Sequence, residues 1–317
     1  MQTEFYDLFE EPLKYKIKNY VDHYKNMNIK KPSWIKIRTP SYSKEKIIQN
    51  VKNIIKFYEL HTVCEESSCP NLIECYQKKV VTFLILGSSC TRCCHFCKVQ
   101  KGKPDLINFE EPKKISRAIS KMNLRHVVIT SVSRDDLPDK GADHFLRCVQ
   151  SIRKRNKGTT IELLVPDFHP VPKEALNTLK ICPPDIFGHN IESVKRIYRR
   201  IRPGSDYQRS LNLLYLFKTM NPDIPTKSGL MVGLGETDEE IISTLKDLRK
   251  NGVTILTIGQ YLKPSKNHFP ISRYLDLKEF HDLKIKAKDL GFKQVSCGPL
   301  VRSSYNAIRF FKKSPYL

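Results

Sequence analysis

The chain has 317 residues, 40% of them hydrophobic, which suits one large folded domain or two smaller ones and excludes a disordered chain. No apolar run approaches the ~20 residues that span a bilayer, and the opening stretch MQTEFYDLFEEPLKYK has neither the basic-then-apolar pattern of a secretory signal nor the acid-free composition of a transit peptide. Lys and Arg number 55 against 33 Asp and Glu, a net charge of +22, which either suits a polyanionic or acidic partner or reflects a Lys-rich compositional bias.

Residues 1–78 lack any strand–helix rhythm and read as an N-terminal extension. From residue 80 onward, apolar β-branched runs predict strands at 80–86, 126–132, 161–166, 185–189, 226–234 and 253–262. Amphipathic stretches predict helices at 112–123, 142–156, 172–181, 193–220, 237–251 and 276–290. The start of the 237–251 helix is the clearest: Thr237 and Glu240 have the spacing of a capping box, Ile241, Leu245 and Leu248 form a stripe, and Gly252 supplies a stop. FKQVSC, at 292–297, reads as a final strand in a C-terminal extension, 292–317. Strands alternating with helices over 79–291 imply an α/β fold with a parallel sheet and right-handed crossovers. The clusters GSSC, SRDD, PDF, HNIE and GLGE each follow a strand, so in a parallel barrel they share the carboxyl rim, where sites are built.

Ten cysteines occur, seven of them between positions 64 and 97. A chain without a secretory signal is expected in a reducing compartment, where clustered thiols point to metal rather than disulfides. Cys90, Cys94 and Cys97 have C-x3-C-x2-C spacing, and three thiolates on one loop suit three irons of a [4Fe–4S] cube, leaving one iron open to a ligand. A zinc site would need a fourth ligand at suitable spacing, and a redox pair would leave the other thiols unexplained. Cys93 offers a competing register and is read as a spectator. Cys64, Cys69 and Cys75 form a second triad, again one ligand short of a cube. Cys148, Cys182 and Cys297 stand alone and read as small buried hydrophobes.

The C-x3-C-x2-C motif with Phe96 before its last cysteine resembles the signature of the radical S-adenosylmethionine (SAM) enzymes. TVCEESSCPNLIEC, ITSVSRDDLPDKGA, ELLVPDF, HNIESV, IRPGSDYQRSL, PTKSGLMVGLGET, LTIGQYLKPS and GPLVRSSY, in that order, are similar to the lipoyl synthase family. Ser133, Gly188 and His169-Pro170 depart from its usual residues at the rim. The resemblance implies a partial (β/α)6 TIM-type barrel whose N- and C-terminal extensions carry an auxiliary cluster. It implies two [4Fe–4S] clusters. One, on Cys90, Cys94 and Cys97, binds SAM and yields a 5′-deoxyadenosyl radical. The other, on Cys64, Cys69, Cys75 and a serine oxygen, donates sulfur to C6 and C8 of a protein-bound octanoyl-lysine. That serine is Ser303, with Ser304 as the alternative. Phe96, Thr130, Ser131 and Arg134 would then lie against SAM, the last three near its amino group. Glu162, Asn190 and Glu192 would bond its ribose or methionine, and Gly233 and Gly235 would allow close approach to adenine. The implied partners are octanoylated lipoyl domains of 2-oxoacid dehydrogenase complexes or the glycine cleavage H protein. An electron donor such as flavodoxin or ferredoxin and an iron–sulfur carrier for cluster repair complete the set. The expected location is the cytoplasm, or an organellar matrix in a eukaryote, with no membrane association. A sulfur-inserting enzyme acting on tRNA or a free metabolite is the competing reading, but no appended RNA-binding module is visible. An iron–sulfur electron carrier would not need a barrel with polar rims.

Overall fold

The structure is a computed structural model and describes residues 30–36 and 42–305. Helix α1 (Tyr42–Phe57) leads into the short strand β1 (His61–Thr62), α2 (Val63–Glu66) and α3 (Leu72–Gln77). Strand β2 (Thr82–Ile85) then opens the main sheet, and two short strands, β3 (Ser89–Cys90) and β4 (Gln100–Lys101), pair in parallel and close a loop between them. The alternation continues as α4 (Glu111–Met122), β5 (His126–Ser131), α5 (Ala142–Arg155), β6 (Thr160–Leu164), α6 (Pro172–Lys180) and β7 (Ile186–Gly188). Next come α7 (Lys195–Ile201), α8 (Tyr207–Met220), β8 (Thr226–Val232), α9 (Asp238–Lys250), β9 (Ile255–Gln260), α10 (Leu277–Asp289) and β10 (Gln294–Gly298).

The sheet order is β1-β2-β5-β6-β7-β8-β9-β10. Strand β1 is antiparallel to β2 and every other pairing is parallel. Among the described residues the two edges do not pair, so the barrel is open, as a partial barrel should be. The six expected barrel strands are β2, β5, β6, β7, β8 and β9, and the FKQVSC strand is β10, running two residues later than expected in register with β9. Strands β5 and β6 read as apolar runs because both faces are covered: Val127, Val128, Ile129, Ile161 and Leu163 have no exposed surface. The Thr237–Glu240 capping box forms with both hydrogen bonds, and Asp276 with Glu279 makes a second at α10.

One expected helix is two. The apolar periodicity of 193–220 is interrupted where Arg202 turns inward, donating to the Asn190 carbonyl at 3.0 Å and the Tyr198 hydroxyl at 2.6 Å. Pro203 cannot continue the helix, Gly204 takes a left-handed φ of +79°, and Asp206 caps α8 through the Arg209 N–H. Among the described residues no helix is long and apolar enough to cross a membrane.

Candidate active site

Both cysteine triads line one cavity of about 550 Å³ at the carboxyl ends of the strands. Cys64, Cys69 and Cys75 come from α2, its following turn and α3, which β1 anchors to the sheet beside β2. Cys90 ends β3, and Cys94 and Cys97 follow on the loop that the β3–β4 pairing closes, with Gly102 N–H donating to the Cys90 carbonyl at 3.1 Å. This loop is held from three sides. Arg92 reaches Asp135 at 2.7 Å and the fully buried Asp167 at 2.8 Å. His95 N–H donates to the Ile201 carbonyl, and Phe269 N–H donates to the His95 carbonyl. His268 lies 3.1 Å from the Cys97 carbonyl. The Ser133 N–H also points at Cys90 Sγ, 3.3 Å away.

Burial pushes the thiols up: Cys64 and Cys97 to about 12, and Cys69, Cys75 and Cys94 in the same direction. Such thiols keep their protons until a cation replaces them, which is the donor chemistry a cluster needs. Among the described residues no three His, Cys, Asp or Glu converge on a point where a single ion could sit. A cube distributes its ligands over separate irons, one thiolate to each. The cavity also holds polar groups the protein leaves unused. Ser131 Oγ and Arg202 Nε are buried with no hydrogen-bond partner, and both residues line it. Glu192 adopts φ +64°, a left-handed conformation costly for this residue, and lines the same wall. Burial raises its carboxyl, opposed by Arg202, the Asn190 hydrogen bond and Arg302. A polar zwitterion fits this arrangement of unpartnered donors and opposed charges.

The C-terminal segment, Val301 to Tyr305, forms part of the cavity wall. Asn71 Nδ2 donates to the Leu300 carbonyl at 2.6 Å, and the Tyr305 hydroxyl donates to both Glu74 carboxylate oxygens at 3.0 Å, tying this segment to the first triad's helices. Ser303 Oγ donates to Asn190 Oδ1 at 2.9 Å, and Asn190 Nδ2 donates to Glu192 at 3.0 Å. Gly259 is required here, because a Cβ would run into the Val301 carbonyl oxygen. Gly229 similarly leaves room for Asn190, whose Oδ1 would lie 2.8 Å from an added Cβ.

The expected site residues separate into two groups. Phe96, Thr130, Ser131, Asn190, Glu192, Ser303 and Ser304 line the cavity with the six cysteines. Arg134 and Glu162 do not. Arg134 turns away to Asp136 at 2.8 Å and the Leu86 carbonyl at 3.1 Å. Glu162 is fully buried inside the barrel against Lys227 at 2.7 Å, with His126 at 3.6 Å. Gly233 packs on Gln260 and Arg273, and Glu236 accepts the Gly233 and Leu234 N–H groups, so the GLGE turn stabilises itself and lies outside the cavity. Cys93 is exposed, and Cys297 sits on β10; neither lines the cavity. Sequence reasoning missed Arg202 and Arg302, the cavity's two arginines; the Pro-Gly pair after Arg202 was the available signal.

The radical SAM superfamily profile matches residues 84–248, from within β2 to within α9, so the open barrel and its cysteine loop are a radical SAM domain. Lipoyl synthase from Wigglesworthia glossinidia brevipalpis is 55% identical over 279 residues, 88% of this chain and 88% of that protein. Lipoyl synthase from Histophilus somni (strain 2336) is 56% identical over 279 residues, 88% of this chain and 87% of its own. The crystal structure of methylornithine synthase aligns with a TM-score of 0.51 at 15% identity, over 80% of this chain and 85% of that one, a likeness of fold alone. The chain belongs to the lipoyl synthase family of the radical SAM superfamily. Membership implies SAM and a [4Fe–4S] cluster as its cofactors.

Proposed function

We propose that the protein inserts two sulfur atoms at C6 and C8 of a protein-bound octanoyl-lysine. The observation that carries this reading is that both cysteine triads, Ser303 and the polar groups of Glu192 and Arg202 line one cavity. Cys90, Cys94 and Cys97 would hold the SAM-binding cluster, and Cys64, Cys69, Cys75 and Ser303 a second, sulfur-donating one. With SAM bound, the first cluster supplies hydrogen abstraction from unactivated carbon. The chain's own residues do the rest. Arg92, His268 and the Ser133 N–H fix the loop and its sulfurs. Ser131 Oγ and Arg202 Nε, which have no internal hydrogen-bond partner, orient a zwitterion together with the Glu192 carboxylate beside them. Leu84, Leu164, Leu230 and Met231 offer the acyl chain an apolar wall. Asn71, Tyr305 and Gly259 hold the C-terminal segment over the cavity, keeping water from the reacting carbons. The described parts of the expected 1–78 and 292–317 extensions, residues 42–78 and 292–305, complete the site on the 79–291 barrel, while 1–29 and 306–317 lie outside the described residues. The substrate is an octanoylated lipoyl domain, and a flavodoxin- or ferredoxin-like donor and a cluster-repair carrier serve the enzyme in the cytoplasm.

The test is a set of variants reconstituted anaerobically with iron and sulfide, then given SAM, dithionite and an octanoylated lipoyl domain. Cys94→Ala should keep about half the iron and release no 5′-deoxyadenosine. Cys69→Ala should release 5′-deoxyadenosine but form no lipoyl group. SAM cleavage by Cys94→Ala, or sulfur insertion by Cys69→Ala, would overturn the assignment.

A further inference from the structure

Behind the cavity wall lies a file of buried polar side chains that the proposed chemistry does not use. It starts at Arg202, in the break between α7 and α8, which donates from Nη1 to the Tyr198 hydroxyl at 2.6 Å. The Tyr198 hydroxyl, on α7, lies 2.6 Å from Ser210 Oγ, on α8. Ser210 Oγ lies 2.9 Å from His189 Nε2, just past β7. His189 Nδ1 lies 2.8 Å from the Val165 carbonyl, just past β6. His189, Tyr198 and Ser210 are each at most 1% exposed.

The two ends fix the direction of every bond between them. A guanidinium can only donate and a carbonyl can only accept. With its oxygen accepting from Arg202, Tyr198 donates its O–H to Ser210, Ser210 donates to His189 Nε2, and the His189 Nδ1–H donates to Val165. The other neutral tautomer would set a bare Nδ1 against the carbonyl oxygen, two acceptors 2.8 Å apart. A charged imidazolium would turn the Ser210 bond round and leave the Tyr198 O–H no acceptor within the file. Burial, and then the charge of Arg202, lowers His189 to about 4 and keeps it neutral. At the cavity end, Arg202 Nη1 also donates to the Asn190 carbonyl at 3.0 Å, and the guanidinium carbon stands 5.3 Å from the Tyr198 ring centroid. These contacts leave Nε, buried without a partner, on a residue that lines the cavity. Burial raises the Cys94 thiol and the Glu192 carboxyl, and the Arg202 charge opposes both, so the guanidinium acts on each.

We propose that His189, Ser210 and Tyr198 are positioning residues for SAM: their one-way hydrogen-bond relay fixes the rotation of the Arg202 guanidinium and aims its Nε–H at the anionic end of the bound zwitterion. The proposal rests on the function proposed above, and it assigns the orientation of a buried cavity cation to three residues outside the cavity lining. An arginine side chain otherwise turns among several rotamers, each with a different nitrogen forward. Here the relay ties Nη1 to the ends of β6 and β7 and to α7 and α8, so the guanidinium is already ordered when the ligand arrives. Each bond in a file of aligned donors polarises the next, so a break far from Arg202 is still felt there, more weakly. No bond to SAM is made or broken by the relay, and no proton leaves it.

The test is the Kd of SAM, measured by anaerobic equilibrium dialysis against reconstituted protein of matched iron content. Tyr198→Phe keeps the ring beside Arg202 and removes only the hydroxyl, and should raise the Kd about tenfold. Ser210→Ala and His189→Gln break the relay further back and should raise it about threefold. Phe217→Leu disturbs α8 through its stack on Phe187 but lies outside the relay, and should stay within about twofold of wild type. In an Arg202→Met background, Tyr198→Phe should change the Kd by less than about twofold, because a residue acting through Arg202 has nothing left to position. Unchanged SAM affinity in Tyr198→Phe overturns the proposal. So does an equal loss in Phe217→Leu, or a fully additive loss in the Arg202→Met background, either of which would make the relay ordinary packing. If Tyr198→Phe does not retain its iron, Ser210→Ala decides by the same dialysis. The expected graded losses, together with a wild type that binds SAM yet forms no lipoyl group, would count against the proposed function and leave the relay standing.

Discussion

Replacing Arg92 with Met tests what holds the cysteine loop. The guanidinium spans two carboxylates of unequal value. Asp135 is 39% exposed, so its bridge is screened and contributes at most about 1 kcal/mol. Asp167 has no exposed side-chain surface, and Arg92 with its hydrogen bond holds that carboxyl well below the usual carboxylate range against a desolvation effect that would raise it. Removing one partner of a buried pair costs about 3–5 kcal/mol, because the remaining charge is left uncompensated. Urea unfolding of the reconstituted protein should therefore show a loss of about 3 kcal/mol or more for Arg92→Met. Asp135→Asn should lose about 1 kcal/mol or less. The pH dependence gives the sign. A carboxyl held low contributes stability that is present at neutral pH and is lost only as pH falls through its low folded value. In Arg92→Met, the raising effect of burial on Asp167 is opposed only by His189 and the His169 N–H, so its carboxyl moves up and protonation costs the folded variant less than the folded wild type. The gap between wild type and variant should narrow as pH drops from about 8 to about 5. A loss below about 1 kcal/mol, or a gap that widens on acidification, would refute the central role given to the Arg92–Asp167 pair.

Three further predictions follow from the same geometry. Ser303→Ala should still release 5′-deoxyadenosine but form no lipoyl group, while Cys297→Ala, outside the cavity, should behave as wild type; loss of product from Cys297→Ala alone would move the proposed ligand there. Gly259→Ala should displace the Val301–Ser303 segment at a cost of about 1–3 kcal/mol and lower lipoyl formation more than SAM cleavage, measured by thermal unfolding and product ratio. Glu162→Gln should destabilise the protein by about 3 kcal/mol through the buried Lys227 pair yet leave the KM for SAM unchanged, and a raised KM would return Glu162 to the site.

The sequence announced chemistry and periodicity better than partnership. Both triads were visible because thiolate spacing within a short segment is local information. The barrel strands were visible because apolar runs and helix caps such as Thr237–Glu240 are local as well. Glu162 looked like a rim residue because nothing near it in sequence shows that Lys227, 65 positions on, faces it inside the barrel. Arg134 was misread for a nearer reason: Asp136, two residues away, draws its side chain off the cavity. The single long helix expected at 193–220 failed because stripe periodicity outweighed a Pro-Gly stop, and with that error went Arg202, the buried cation inside the break. Gly229 and Gly259 look like weak points in strands until the C-terminal segment and Asn190 are placed against them.

The most direct test of the central claim is the intact mass of an octanoylated lipoyl domain after one anaerobic turnover with the reconstituted protein, SAM and dithionite. The account predicts that two hydrogens of the octanoyl chain are replaced by two sulfurs, with 5′-deoxyadenosine released in step. An octanoyl mass that stays unchanged while 5′-deoxyadenosine accumulates only when tRNA is supplied would contradict it.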